Sequence, residues 1–233
     1  MEEWFHRLLK LVPQPQSVAF ADSFVFRFVE KTPQQAIVQK LARVVSGLDA
    51  AHTLLLNGFT QELGVQSRIL VDLDAEIFFL SLGLLREWTQ THDKFVEYFY
   101  LEEFDNEHEP SKSSQKRPMV PGDKIRAYNA KHLGTDPSGA VGASRSINKT
   151  FSGFVHSASP QTMDMYSGDP PRFHLRGMLG TPRAIDHLYD LWNYYYRGVL
   201  SFSVAAHALD SPKLGQEIAA YEPYFQKASG RQS

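Results

Sequence analysis

Along most of the chain, hydrophobic positions recur at alternating steps of four and three, the spacing that places them on one face of a helix. The stripe Ile37, Leu41, Val44, Leu48, Ala51 and Leu55 is one clear case. It is preceded by Thr32 as N-cap, Pro33 at the first helical position and Gln35 at the capping-box position. A second stripe runs from Ile185 through Leu188, Trp192, Tyr195, Val199 and Phe202 to Leu209, after Thr181 and Pro182. Between them, residues 61–88 are apolar in every direction, which predicts a helix enclosed on all sides. Shorter helices are predicted over the N-terminal "MEEWFHRLLKLV", 91–104, 123–132, 143–158 (ending before Pro160) and 211–225.

The remaining stretches break the helical pattern. Residues 105–123, "DNEHEPSKSSQKRPMVPGD", are polar, charged and bounded by proline, and predict a flexible surface loop. "GTDPSGAVG" reads as a glycine-rich turn and "RFHLR" (172–176) as the only extended segment. The expected fold is therefore all-α, an antiparallel helical bundle with a long polar loop and one short extended loop segment. Residues 32–228 form its single domain, 1–31 an N-terminal helix and connector, and 229–233 a disordered tail.

Composition narrows the function classes. The 233 residues are 42% hydrophobic, enough for a substantial core, and carry a formal charge of -2, so no global field favours nucleic acid or an anionic membrane. With no cysteine, thiolate metal sites, disulfides and a cysteine nucleophile are excluded. The longest apolar run, "IFFLSLGLL", is less than half of the ~20 residues that span a bilayer, and the acidic N-terminus is unlike a secretory signal. A cytoplasmic protein is expected. Glu3 and His6 are the one Glu-x-x-His pair, no two histidines stand four apart, and there is no Walker loop, nucleophile elbow or dinucleotide fingerprint. No metal or cofactor is implied.

Polar residues in unusual places supply the candidates. Arg68, Asp72 and Glu76 follow at i, i+4 and i+8 on the enclosed helix and suggest an internal polar ladder, with a solvent-facing bundle edge as the alternative. Arg145, Asn148, Ser152 and His156 share one helix sector of roughly 80° at the helical twist. Asn and Ser are poor helix formers, so this ribbon is either a site or a surface where another segment packs closely. The candidates for chemistry are His156, Arg68, Asp72 and Glu76. In an extended "RFHLR", Arg172, His174 and Arg176 point to one side, a face suited to a phosphate or carboxylate or simply solvated. Asn193 and Arg197 lie off the second stripe and join the ligand-binding candidates, with Asn193 expected to face the polar centre.

Two resemblances extend this reading. "RAYNAKH", Arg126 to His132, resembles the Arg-and-His motif of HEPN ribonucleases, helical bundles that act on RNA without a metal; here Ala127 stands where that family usually has a polar residue. Over residues 33 to 210 the chain resembles uncharacterised bacterial helical-bundle proteins, domains of unknown function. That likeness rests on "GFTQELGVQSRILVDLDAEIFFL" and "FSGFVHSASPQTMDMY", and it implies a fold and a polar centre but no reaction. Two functions stay open. One is a regulatory or ligand- and partner-binding bundle that contacts a protein or a phosphate-bearing ligand. The other is a metal-independent, HEPN-like or phosphate-directed enzyme using His156 or His132 with a nearby Arg, in which case the partner is RNA.

Overall fold

In the computed structural model, which describes residues 1–106 and 108–230, the fold is all-α and bundle-like. Helix α1 (Glu2–Leu9) precedes α2 (Pro33–Leu56), and α3 (Thr60–Leu85) forms the axis of the molecule. Against α3 pack α2, α5 (Gly122–His132), α6 (Pro137–Val155) and α8 (Pro182–Ala208). This surround is why α3 is apolar on all sides. The helix α4 (Gln90–Phe99) caps one end, α7 (Ser159–Met163) follows α6, and α9 (Pro212–Ala228) folds back along α8.

The neighbours of α3 run in both directions. Lys40 meets Glu76 while Gly47 packs on Gln66 and Leu70, so α2 runs antiparallel to α3, and Arg68 meets the carbonyl of Asn148 while Gly64 packs on Phe154, so α6 does the same. By contrast Arg126 meets Asp72 and Asn129 meets Ala75, so α5 runs parallel to α3. A Cβ on Gly64 would come within 2.6 Å of the Phe154 ring, so the glycine lets α6 approach α3 closely.

Local signals explain most boundaries. The Thr32 side chain accepts from the Gln35 backbone N–H while the Gln35 side chain accepts from the Thr32 N–H, the reciprocal pair read from the sequence. Three expectations are corrected. Residues 16–27 hold an antiparallel hairpin, β1 (Gln16–Phe20) with β2 (Ser23–Arg27), so "RFHLR" is not the only extended segment. The alternation Val18, Phe20, Val25 and Arg27 turns inward, and Ala21, in the left-handed region, makes the tight turn. The strand in "RFHLR" is only β4 (Arg172–Phe173), paired with β3 (Tyr166–Ser167). Helix α6 starts at Pro137 inside the expected glycine-rich turn, because the Asp136 carboxylate caps the N–H groups of Ser138 and Gly139.

The polar loop has one 3-10 turn, Pro110–Lys112, and Asp105 accepts from the hydroxyls of Ser113 and Ser114. Of the expected disordered tail, Ser229 and Gly230 form a turn and residues 231–233 lie outside the described residues. Ile37, Leu41, Ile77, Phe79, Phe202 and Ile218 are fully buried in one continuous core.

The packing is uneven along α8. Its buried residues begin at Leu191, whereas Ile185 is 58% and Leu188 48% exposed. Among the described residues no helix is long and apolar enough to cross a membrane.

Candidate functional site

Where α5, α6 and the middle of α8 meet α3 they do not close on one another. They leave a cleft of about 1090 Å³, lined by residues including Ala75, Phe78, Ala130, Ala143, Phe151 and Leu200. Small alanines on three of the four walls keep the helices in register without filling the space between them. Arg126, Asp74, Asp190, Asn193, Tyr194 and Arg197 add polar groups to the lining.

Asp74, Arg126 and Arg197 in the cleft are each held by a partner. Asp74 accepts from Ser201 Oγ at 2.8 Å and from Arg197 at 3.2 Å. Burial pushes the Asp74 carboxyl above the usual aspartate range, while Arg197 and Ser201 pull against that shift. Arg126 donates to Asp72 Oδ1 at 2.6 Å, and Arg68 donates to Asp72 Oδ2 at 2.9 Å and to the carbonyl of Asn148 at 3.2 Å. One carboxylate thus ties three helices together, α3 through Arg68, α5 through Arg126 and α6 through the peptide that Arg68 reaches. Burial raises the Tyr194 phenol to about 12, against a hydrogen bond with Ser67 that lowers it.

The expected ladder on α3 is divided. Asp72 belongs to Arg68 and Arg126, but Glu76 accepts from Lys40 Nζ of α2 at 2.6 Å, where Lys40 also lies over the rings of Phe95 and Phe99. Four residues are somewhat more than one helical turn, and over two such steps the drift is enough to move Glu76 to a different neighbour.

The other candidates separate in the same way. Arg126, Asn193 and Arg197 line the cleft. Asn193 is largely exposed there. Asn148 and Ser152 lie on α6 beside it, half-buried, while Arg145 of the same ribbon leaves for Asp123 at 2.7 Å. His156 is the exposed C-cap of α6, and its backbone N–H donates to the carbonyl of Ser152. It does not line the cleft. Arg172 and Arg176 are exposed, and His174 Nε2 lies 3.1 Å from Ser167 Oγ, so this side chain is spent on its own hairpin. A smaller cavity of about 410 Å³ adjoins that hairpin, and Arg172, His174 and Arg176 are absent from its lining.

Arg126 and His132 face different neighbours. The arginine reaches Asp72 in the middle of α3, whereas His132 packs against the Tyr128 ring and lies 3.7 Å from Glu87, past the end of α3. Among the described residues no group of three or more histidines and carboxylates is placed to hold a metal ion. Compared with known proteins, the chain matches no family model, no curated protein and no solved structure.

Sequence reasoning missed Asp74, Tyr194, Ser201, Asn129 and Ser144. Asp74 and Ser201 had a signal. Asp74 is a third carboxylate on a helix enclosed by apolar residues, and Arg197 and Ser201 stand four apart on α8. Asn129 lies within "RAYNAKH", hidden behind the Arg and His that drew attention.

Proposed function

We propose that the protein is a binding module whose small-molecule ligand seats in the cleft between α3, α5, α6 and α8. The observation that carries this reading is the cleft itself. Its volume, about 1090 Å³, is at the upper end of small-molecule sites, its walls are mainly apolar, and a few polar groups converge on it. Binding rather than catalysis is supported by the state of those groups. Asp74, Arg126 and Arg197 are each in an ion pair, and among the described residues those that line the cleft include no histidine to serve the Ser144 or Thr135 hydroxyl as a base.

One position makes the test clean. Ala143 is exposed on the α6 wall, so Ala143→Trp fills the cleft without entering the core. The neutral apolar dye Nile red should give a saturable fluorescence rise with the wild-type protein and none with Ala143→Trp at an unchanged melting temperature. No response from the wild type, or an equal response from the variant, contradicts the reading.

A further inference from the structure

Resting on that reading, we propose that the cleft's ligand is an uncharged molecule with an apolar body and a small head that both donates and accepts a hydrogen bond, as a primary amide does. Asn129 on α5 and Ser144 on α6 take that head. Both residues line the cleft and both are only 8% exposed. Asn129 Nδ2 donates to the carbonyl of Ala75 at 2.8 Å. This bond fixes the orientation of the amide, because the flipped form sets two acceptors against each other. The atom left over is therefore an acceptor. Asn129 Oδ1 is buried and has no hydrogen-bond partner in the protein, and the same is true of Ser144 Oγ.

Buried polar atoms are nearly always paired, and two unpaired ones on the walls of one cleft mark a place where a ligand completes the set. An amide N–H matches Asn129 Oδ1, and the amide oxygen accepts from the Ser144 hydroxyl. An anionic head fits poorly, since it presents only acceptors to Asn129 Oδ1. The two arginines that could compensate already face carboxylates, Arg126 with Asp72 and Arg197 with Asp74. A cationic head presents only donors and leaves the Ser144 proton without an acceptor, and Asp74, the buried acid of the lining, is already engaged by Ser201 and Arg197.

The test uses three eight-carbon probes that share a chain and differ in the head: octanamide, octanoate and methyl octanoate, each displacing Nile red. With the wild type, octanamide should act at about tenfold lower concentration than methyl octanoate, which lacks a donor, and octanoate should be weaker than octanamide. Ser144→Ala, which removes the donor to a carbonyl that amide and ester share, should weaken both by about tenfold, and Asn129→Leu should abolish the gap between them. Should Asn129→Leu fail to fold, Ser144→Ala, which removes a single atom, still decides the matter, because octanamide must weaken in it. Methyl octanoate or octanoate acting as well as octanamide, a gap unchanged in Asn129→Leu, or octanamide undiminished in Ser144→Ala, overturns the assignment of the head. In those cases Nile red still binds the wild type and is still lost in Ala143→Trp, so the cleft survives as a binding site. Absence of Nile red binding removes both.

Discussion

The two halves of α8 carry the same apolar spacing into different surroundings. From Leu191 onward the stripe is covered by α2, α3 and α9, and Val199, Phe202, Ala205 and Ala206 are buried almost completely. Before Leu191 the stripe continues through Ile185 and Leu188, yet about half of each side chain is exposed. The cleft runs beside the start of the covered half, from Asp190 to Leu200 on a different face from the stripe, with α6 as its far wall, and α6 buries only Ser144. Periodicity states which face of a helix is apolar. Whether another element arrives to cover that face depends on the loops and lengths of the neighbours, which periodicity does not contain.

The comparison can be broken most easily in its closed half. Phe202 is fully buried against Trp4 and the core, so Phe202→Ala should cost about 3–5 kcal/mol in denaturant unfolding. A loss below about 1 kcal/mol would mean that this half is as loosely packed as the other. Lys40 is next. Its side chain is 8% exposed, pairs with Glu76 and lies over two rings, so Lys40→Ala should cost about 2 kcal/mol, less than a fully buried pair because Glu76 keeps some water contact. Lys40→Met, which keeps the stem, should recover part of the loss.

His92 brings pH into the comparison. It is fully buried on α4, stacked on Phe79 of α3. Its Nδ1 accepts from the Thr89 backbone N–H, and its Nε2 lies 3.1 Å from the carbonyl of Phe79, where it donates. Burial therefore holds its folded pKa below the usual 6.5, despite hydrogen bonds that pull upward. A depressed folded pKa means that the stability contribution is present above pH 6.5 and lost as pH falls through the folded value. Unfolding measured from neutral to mildly acidic pH should show this loss in the wild type and a flatter profile in His92→Gln. An identical slope in both removes His92 from the account.

Arg68→Ala should cost only about 1 kcal/mol. Arg68 and Asp72 are 30% and 38% exposed, and Asp72 keeps its bond to Arg126 when Arg68 is lost. A cost several times larger would place the pair in a closed core rather than at the rim of the cleft. Leu188→Ala, in the open half of α8, should change stability by less than about 0.5 kcal/mol.

Much of this was legible in the sequence. The Thr32 and Gln35 capping box, the central position of α3 and the run of α8 follow from local chemistry and periodicity alone. The hairpin at 16–27 was not legible because its inward positions alternate over only five residues per strand, and a short apolar run of that kind fits either element type. The candidate site was legible in part. Arg126, Asn193 and Arg197 were singled out and line the cleft. His156 and the 172–176 segment were singled out by the same kind of argument and lie elsewhere. The difference is tertiary: a polar residue off an apolar stripe faces a cleft only if a second helix stands opposite, and Asp74 meets Ser201 across 127 positions of chain.

Alanine-methyl NMR tests the central claim most directly, because alanines mark both regions. Ala75, Ala130, Ala140 and Ala143 line the cleft, while Ala36, Ala51, Ala205 and Ala206 lie in the closed core. On titration with octanamide, the first group should shift in a saturable way and the second should stay in place. Shifts confined to the core alanines, or the same response in both groups, would contradict a ligand seated between α3, α5, α6 and α8.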